Sequence, residues 1–218
     1  SAEGRKTCGR GTNDVETRLR AFAALSVGLI GSRESVDESV IKALSEAIDT
    51  GKADKDLQVG PVLALGIMRS TAAVPKLQDL VKNTDENADE IVRAHAAIAL
   101  GKLGDRSSVK LLVEALADKK TQVNRSAAIA LGLLTSKDDD ATVAKLIDYA
   151  KSASDRAVRN FCFIALGEIG NTKGRDFLLN TMKTRHRHDQ TFSATAPGGL
   201  GFNHGTAPDR PALGPHAP

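Results

Sequence analysis

The chain has 218 residues, a formal net charge of +3, two cysteines and seven aromatic residues, none of them Trp. This length is sufficient to bury a sizeable core, and apolar content rich in Ala and Leu suits helix packing better than β-sandwich layers. The chain lacks the strong basic excess that is typical of nucleic-acid binders. Two cysteines are too few for a disulfide framework, and no apolar stretch is long enough for a transmembrane helix. The sequence therefore predicts an all-α protein.

The first twelve residues, 1–12, show no helical period and carry three basic side chains against one acid. This composition predicts a flexible N-terminal segment. No charged stretch is followed by an apolar one, so we expect no signal peptide in the chain. The compartment stays open, with the cytoplasm favoured.

Residues 13–184 contain five copies of one unit. Each unit has a glycine within a helical pattern, and these repeat glycines are separated by 38, 35, 31 and 35 residues; they are Gly28, Gly66, Gly101, Gly132 and Gly167. Spacings in this range are typical of solenoids. Aliphatic residues nine, three and one positions before each repeat glycine follow a helical period, so each unit begins with a helix of about four turns.

A second, shorter helix follows in every unit after a turn of Gly, Ser, Thr, Asp or Asn residues. Its apolar residues lie on one stripe, within 36–48, 74–81, 109–116, 143–147 and 177–182. The sequence thus predicts a right-handed α-solenoid of about five antiparallel helix pairs. Each pair consists of a first helix, which contains the repeat glycine, and a second helix.

The repeat glycines lie in the middle of the first helices, where glycine costs roughly 0.5 to 1 kcal/mol relative to alanine. We interpret them as sites of close helix approach between neighbouring units. A phosphate-binding role would require glycine in a loop before a helix N-terminus.

Three first helices carry an acid four residues before an arginine, a spacing that allows ion pairing along a helix. The pairs are Glu16 with Arg20, Asp89 with Arg93, and Asp155 with Arg159. We expect these six residues to form a structural ladder between adjacent repeats. A clamp for phosphate or carboxylate made by the three arginines is the alternative.

The run from Val92 to Asp105 (VRAHAAIALGKLGD) resembles a HEAT repeat of the type shared with phycobilin-lyase-like proteins, and the fifth unit repeats its pattern. The resemblance implies that second helices line the concave face of the solenoid. Charged and polar residues of those helices would then form a partner-binding strip, which we name the second-helix strip: Lys42, Glu46, Lys76, Asp79, Lys110, Glu114, Lys145, Asp148, Arg175 and Asn180. A merely solvated face with weak helix pairs explains the same residues equally well.

Enzyme chemistry receives little support from the residues. One HEAT-like enzyme class binds iron through His-Glu pairs, but no histidine here is followed by glutamate. His95 and Cys162 fall within the first-helix pattern, where packing is the simpler role. We therefore predict no catalytic residue, no cofactor and no metal. The predicted function is a non-catalytic scaffold that binds a protein or peptide on its concave face; the alternative is a bilin-lyase-like enzyme subunit or chromophore chaperone.

We expect no specific binding of nucleic acid, because lysines of the second helices are followed by acids three or four residues later. Membrane binding is not expected either. Residues 185–218 form a tail that holds five of the seven prolines and four of the five histidines, so it is not a sixth repeat. It is a natural extension, a docking arm or non-native sequence. We expect self-association through this tail, with Phe192, Leu200, Phe202 and Leu213 as docking residues, or through uncapped solenoid ends.

Overall fold

The computed structural model describes residues 12–33, 37–51 and 54–184. This part of the chain contains ten α-helices, two short 3₁₀ turns and no strand. The helices are α1 (Thr12–Gly31), α2 (Glu38–Thr50), α3 (Lys55–Met68), α4 (Val74–Lys82), α5 (Glu90–Leu103), α6 (Val109–Ala115), α7 (Thr121–Leu134), α8 (Asp140–Ser152), α9 (Arg156–Ile169) and α10 (Thr172–Thr184). The 3₁₀ turns, Thr71–Ala73 and Arg106–Ser108, precede α4 and α6.

Odd-numbered helices are the first helices of the five predicted pairs, and even-numbered helices are the second helices. Each odd helix packs along the next odd helix, and each even helix packs against an odd one. The core lies between the two layers and includes the fully buried Leu65, Leu77, Leu100, Leu112, Leu131, Leu146, Leu166 and Leu178. The predicted all-α solenoid of helix pairs is confirmed.

Aspartates at the helix starts determine where many helices begin. The side chains of Asp37, Asp54, Asp89 and Asp155 each accept a hydrogen bond from a backbone N–H of the first turn that follows. Two first helices end at a glycine in the left-handed region, Gly104 and Gly170. At these ends the capping residue sets the helix boundary, so those boundaries follow from the sequence.

Four of the five repeat glycines lie where first helices touch. A Cβ atom added to Gly66 would be 2.8 Å from the Cα atom of Ala99 on the next first helix. The same contact recurs between three other pairs of neighbouring first helices, at Gly28 and Ala64, Gly101 and Ala130, and Gly132 and Ala165. Such distances leave no room for a side chain, so the close-approach interpretation is confirmed.

The two layers are spaced differently. First helices contact one another along their length through Gly and Ala, whereas neighbouring second helices touch at only a few points. The close contacts of the first helices follow from the small residues at their crossing points, and the arrangement of second helices along a concave face stays a prediction.

No helix in the described part is long and apolar enough to cross a membrane. The predicted flexible segment, apart from Thr12, and the predicted docking of Phe192, Leu200, Phe202 and Leu213 lie outside the described residues.

Candidate functional site

The second-helix strip is mostly exposed, but its charges do not pair as the sequence spacing indicated. The Nζ atom of Lys76 lies 2.5 Å from Asp49 of α2, not beside Asp79. Likewise, Lys173 of α10 lies 2.7 Å from Asp140 of α8. These two ion pairs join successive second helices.

Other members of the strip make no cross-repeat ion pair in the described part. The expected pairs within one helix, Lys42 with Glu46, Lys110 with Glu114 and Lys145 with Asp148, are absent there, and Arg175 instead contacts Asp176. The exposed Asn180 lies on α10. The strip therefore remains a prediction as a binding surface.

The acid–arginine ladder needs correction. Asp89 does not pair with Arg93, because its carboxylate caps α5 by accepting hydrogen bonds from the backbone N–H groups of Ile91 and Val92. The guanidinium of Arg93 instead donates to Asp118 before α7, at 2.5 and 3.3 Å, and to the carbonyl of Val81. A buried ion pair thus joins the third unit to the start of the fourth.

The same exchange occurs in the fifth unit. Asp155 caps α9 and accepts a hydrogen bond from Arg125 of the preceding first helix, while Arg159 donates to the carbonyl of Ala153. Arg20 is exposed on α1, and its predicted partner Glu16 has no described side chain. Arg93 and Arg125 therefore connect repeats through acids that precede the next first helix.

A row of aliphatic residues lines the open face of the first helices. It consists of the residues three positions before each repeat glycine: Leu25, Leu63, Ile98, Ile129 and Ile164. All five are half-buried or exposed, with Ile164 at 37% exposure, although their helical period suggested core positions. We call this row the inner row, and the open face of the first helices on which it lies the inner face.

The inner row has a cavity at its N-terminal end. The cavity lies between α1 and α3, has a volume of about 420 Å³ and is lined mainly by apolar side chains. Its lining residues are Arg18, Ala21, Phe22, Leu25, Asp56, Val59, Gly60 and Leu63. A volume in this range fits a small organic ligand or part of a larger one.

Sequence reasoning missed this face, although a signal was present. Small residues are concentrated in the first helices and permit their close approach. The apolar residues three positions before each repeat glycine lie on the open face of that closely packed layer.

Few ionisable groups interrupt the inner face. They include Arg18 and Asp56 at the cavity, His95 in the middle, and the exposed Lys102 and Glu168. Burial, and secondarily the charge of Lys102, lowers the pKa of His95 below 6.5. His95 is therefore a neutral imidazole at pH 7, able to accept or donate a hydrogen bond.

The one cysteine among the described residues is buried, and those residues include no metal-binding cluster. Burial raises the pKa of the Cys162 thiol to about 12, so this side chain is a packing residue. Within the described ranges, no group of three or more His, Cys, Asp or Glu residues is arranged to hold a metal ion.

Comparisons with known proteins agree with the repeat architecture. Residues 84–160 match the family model for HEAT repeats. A deoxyhypusine hydroxylase-B from Oryza sativa subsp. japonica is 31% identical over 122 residues, which are 56% of this chain and 38% of that protein. A deoxyhypusine hydroxylase from Emericella nidulans is 35% identical over 116 residues, or 52% of this chain and 33% of that protein. The chain thus spans about a third of the length of these relatives.

A solved structure supports the fold. The complex of CpcE and CpcF of phycocyanin lyase from Nostoc sp. PCC7120 aligns with a TM-score of 0.58 at 23% identity, over 77% of this chain and 67% of that chain. At this identity the likeness concerns the fold alone, and that protein is a complex of two chains.

These relatives contradict the predicted function. The proteins matched at 31% and 35% identity are enzymes, so the predictions of a non-catalytic scaffold and of a non-enzyme are wrong. The predicted resemblance, by contrast, is confirmed by the family model and the solved structure. The described part of this chain is an α-solenoid of helix pairs, and residues 84–160 within it match HEAT repeats.

Proposed function

We propose that the chain is a subunit or segment of an enzyme and holds an elongated, largely apolar ligand with acidic groups on the inner face. A linear tetrapyrrole, or bilin, is the ligand class that we assign. The inner row with its cavity is the observation that carries the proposal.

The inner face has the shape and chemistry for such a ligand. Five aliphatic side chains succeed one another across five helices, and neighbouring helices are about 8–10 Å apart, so the row is several times longer than a small-molecule pocket. Apolar contact along the row contributes affinity, while Arg18 and Lys102 supply cationic groups suited to carboxylates. A conjugated chain with acidic side groups matches this combination.

Two relatives are named as enzymes, which supports an enzymatic role for this chain. One HEAT-like enzyme class uses iron held by His-Glu pairs, and the residues here do not fit such a site. His95 is the one histidine in the described ranges, it is followed by Ala96, and no metal-binding cluster surrounds it. We therefore derive no step through a metal.

The proposal is tested by titrating the full chain with biliverdin, a linear tetrapyrrole, and recording visible absorption. Binding fixes the conformation of a flexible conjugated chain, so we expect a saturable change in the shape and position of the visible band. An absorption spectrum that equals the sum of free protein and free biliverdin at every concentration would refute the assigned ligand class.

Hydroxylation is the second candidate function, favoured by the identity to the deoxyhypusine hydroxylases. It is tested separately by incubating the chain and ferrous iron with a peptide that contains deoxyhypusine, followed by mass spectrometry. A gain of one oxygen atom would replace the bilin proposal with this activity.

A further inference from the structure

Apart from Glu90 at its start, the residues of α5 that are not buried form a single line along the helix. They are Ile91, His95, Ile98 and Lys102, at intervals of four, three and four residues, so they share one side of the helix. Because this line contains the inner-row residue Ile98, it lies on the inner face. We call these four residues the α5 line.

The ammonium group of Lys102 has no counter-ion. Among the residues that the structure describes, the exposed Lys102 makes no ion pair. The other ionisable member of the α5 line, His95, is neutral, because burial and secondarily the charge of Lys102 lower its pKa. The α5 line therefore presents one uncompensated positive charge.

Aliphatic side chains flank Lys102 on both neighbouring first helices. Ile67 of α3 and Leu133 of α7 occupy the equivalent position, directly after their repeat glycines. Leu133 is 53% exposed, and a Cβ atom added to Gly101 would lie 3.3 Å from its Cδ1 atom. The leucine thus lies beside the start of the lysine side chain. The charge of Lys102 is placed between apolar groups on two sides.

The apolar surface continues away from Lys102 in both directions. Toward α1 it passes through Leu63 to the cavity between α1 and α3, and toward α9 it passes through Ile129 to Ile164. A ligand with its acid group at one end would cover only one of these two arms. A ligand that carries the acid group near its middle would cover both.

Other charged groups of this face lie farther from its centre or are engaged elsewhere. Arg18 and Asp56 line the cavity beside α1, and Glu168 lies on α9, two first helices away from Lys102. Arg125 of α7 forms an ion pair with the start of the fifth unit. Lys102 is therefore the cationic group that a carboxylate at the middle of the ligand would meet.

We propose that Lys102 determines the specificity of the inner face, by binding a carboxylate carried at the middle of an elongated apolar ligand whose two arms lie toward α3 and α7. The inference rests on the proposed ligand class, since a bilin carries its two propionate groups on the two central rings of four. It adds the residue that recognises the carboxylate and the position of the ligand along the face. When the ligand covers Lys102, water is excluded and the charge pair is strengthened.

The test compares biliverdin with biliverdin dimethyl ester, which has the same ring system without the negative charges. Both are titrated into the full chain and followed by visible absorption. We expect the wild type to bind the acid at least tenfold more tightly than the ester. Lys102→Met, which keeps the length of the side chain but removes its charge, should bind the two forms equally and bind the ester as the wild type does.

Two variants control for the position and the nature of the charge. Lys102→Arg keeps the charge and should retain the preference for the acid. Lys110→Met removes an exposed lysine from the second helix of the same unit and should bind as the wild type does. A helical circular dichroism spectrum equal to that of the wild type shows that each variant is folded.

The outcomes separate this inference from the proposed ligand class. A wild type without preference for the acid, or a Lys102→Met variant that keeps the preference or loses both forms equally, would overturn the role of Lys102 while biliverdin binding itself stands. No spectral change with either form would refute the ligand class, and this inference with it.

Discussion

Gly66 makes a steric contact whose cost can be predicted. Alanine is the better helix former by about 0.5–1 kcal/mol, but a Cβ atom at this position would lie 2.8 Å from backbone and side-chain atoms of Ala99. We expect Gly66→Ala to lower the free energy of unfolding by about 1–3 kcal/mol, as overpacking does in cores. Urea denaturation gives the value.

Gly174 in α10 provides the matched control for that substitution. A Cβ atom there meets its nearest atoms at 3.4 Å or more, which is ordinary contact. Gly174→Ala should therefore leave stability unchanged or raise it by up to about 1 kcal/mol. Equal destabilisation by the two substitutions would contradict the close-approach account.

Arg93 and Asp118 form an ion pair in which both side chains are less than 10% exposed. Removing one partner leaves a buried charge, so Arg93→Met should cost about 3–5 kcal/mol. The matched variant Arg125→Met breaks a more exposed pair with Asp155 and should cost no more than about 1 kcal/mol. Denaturation of both variants at pH 7 measures the difference, and similar costs would contradict the burial argument.

The pair with Arg93 also predicts a pH dependence. Burial alone would raise the pKa of Asp118, but hydrogen bonds from the Arg93 guanidinium and the Lys120 backbone N–H outweigh it and hold the pKa below 3.8. The folded form therefore retains the charge longer than the unfolded chain. The resulting stabilisation is present above pH 3.8 and is lost as the pH falls below it. The free energy of unfolding of Arg93→Met should therefore depend less on pH in this acidic range than that of the wild type.

Sequence spacing predicted arginines that join repeats but assigned them the wrong acids. Asp89 and Arg93 are four residues apart on one helix, which is the spacing of an ion pair. However, Asp89 lies at the helix start, where backbone N–H groups compete for its carboxylate. Only the fold brings Asp118 near Arg93, since 25 residues separate them.

At the scale of helices, the pattern around the repeat glycines predicts pairs of helices and their order. The apolar period recurs in every unit and capping residues support it in most, which is why the layout follows from the sequence. The pattern does not distinguish the inner face from the outer one. Residues such as Leu63 and Ile98 have the period of core residues, yet they line an open surface whose exposure depends on the spacing of both layers.

The two layers of the whole molecule differ in their side chains. The second helices carry ion pairs between repeats, such as Lys76 with Asp49, whereas the first helices present the inner row and the cavity. The proposed ligand site and the second-helix strip lie on different layers, so each can be altered while the other is retained.

The most direct measurement of the central claim is the biliverdin titration of the full chain, repeated with two variants. Leu63→Asp places a charge in the cavity wall, and the triple variant Lys76→Glu/Lys110→Glu/Lys145→Glu reverses the second-helix strip. We predict that Leu63→Asp weakens binding at least tenfold, since each 1.4 kcal/mol is a factor of ten, and that the triple variant binds as the wild type does. Loss of binding in the triple variant, with Leu63→Asp unaffected, would contradict the assignment of the site to the inner face.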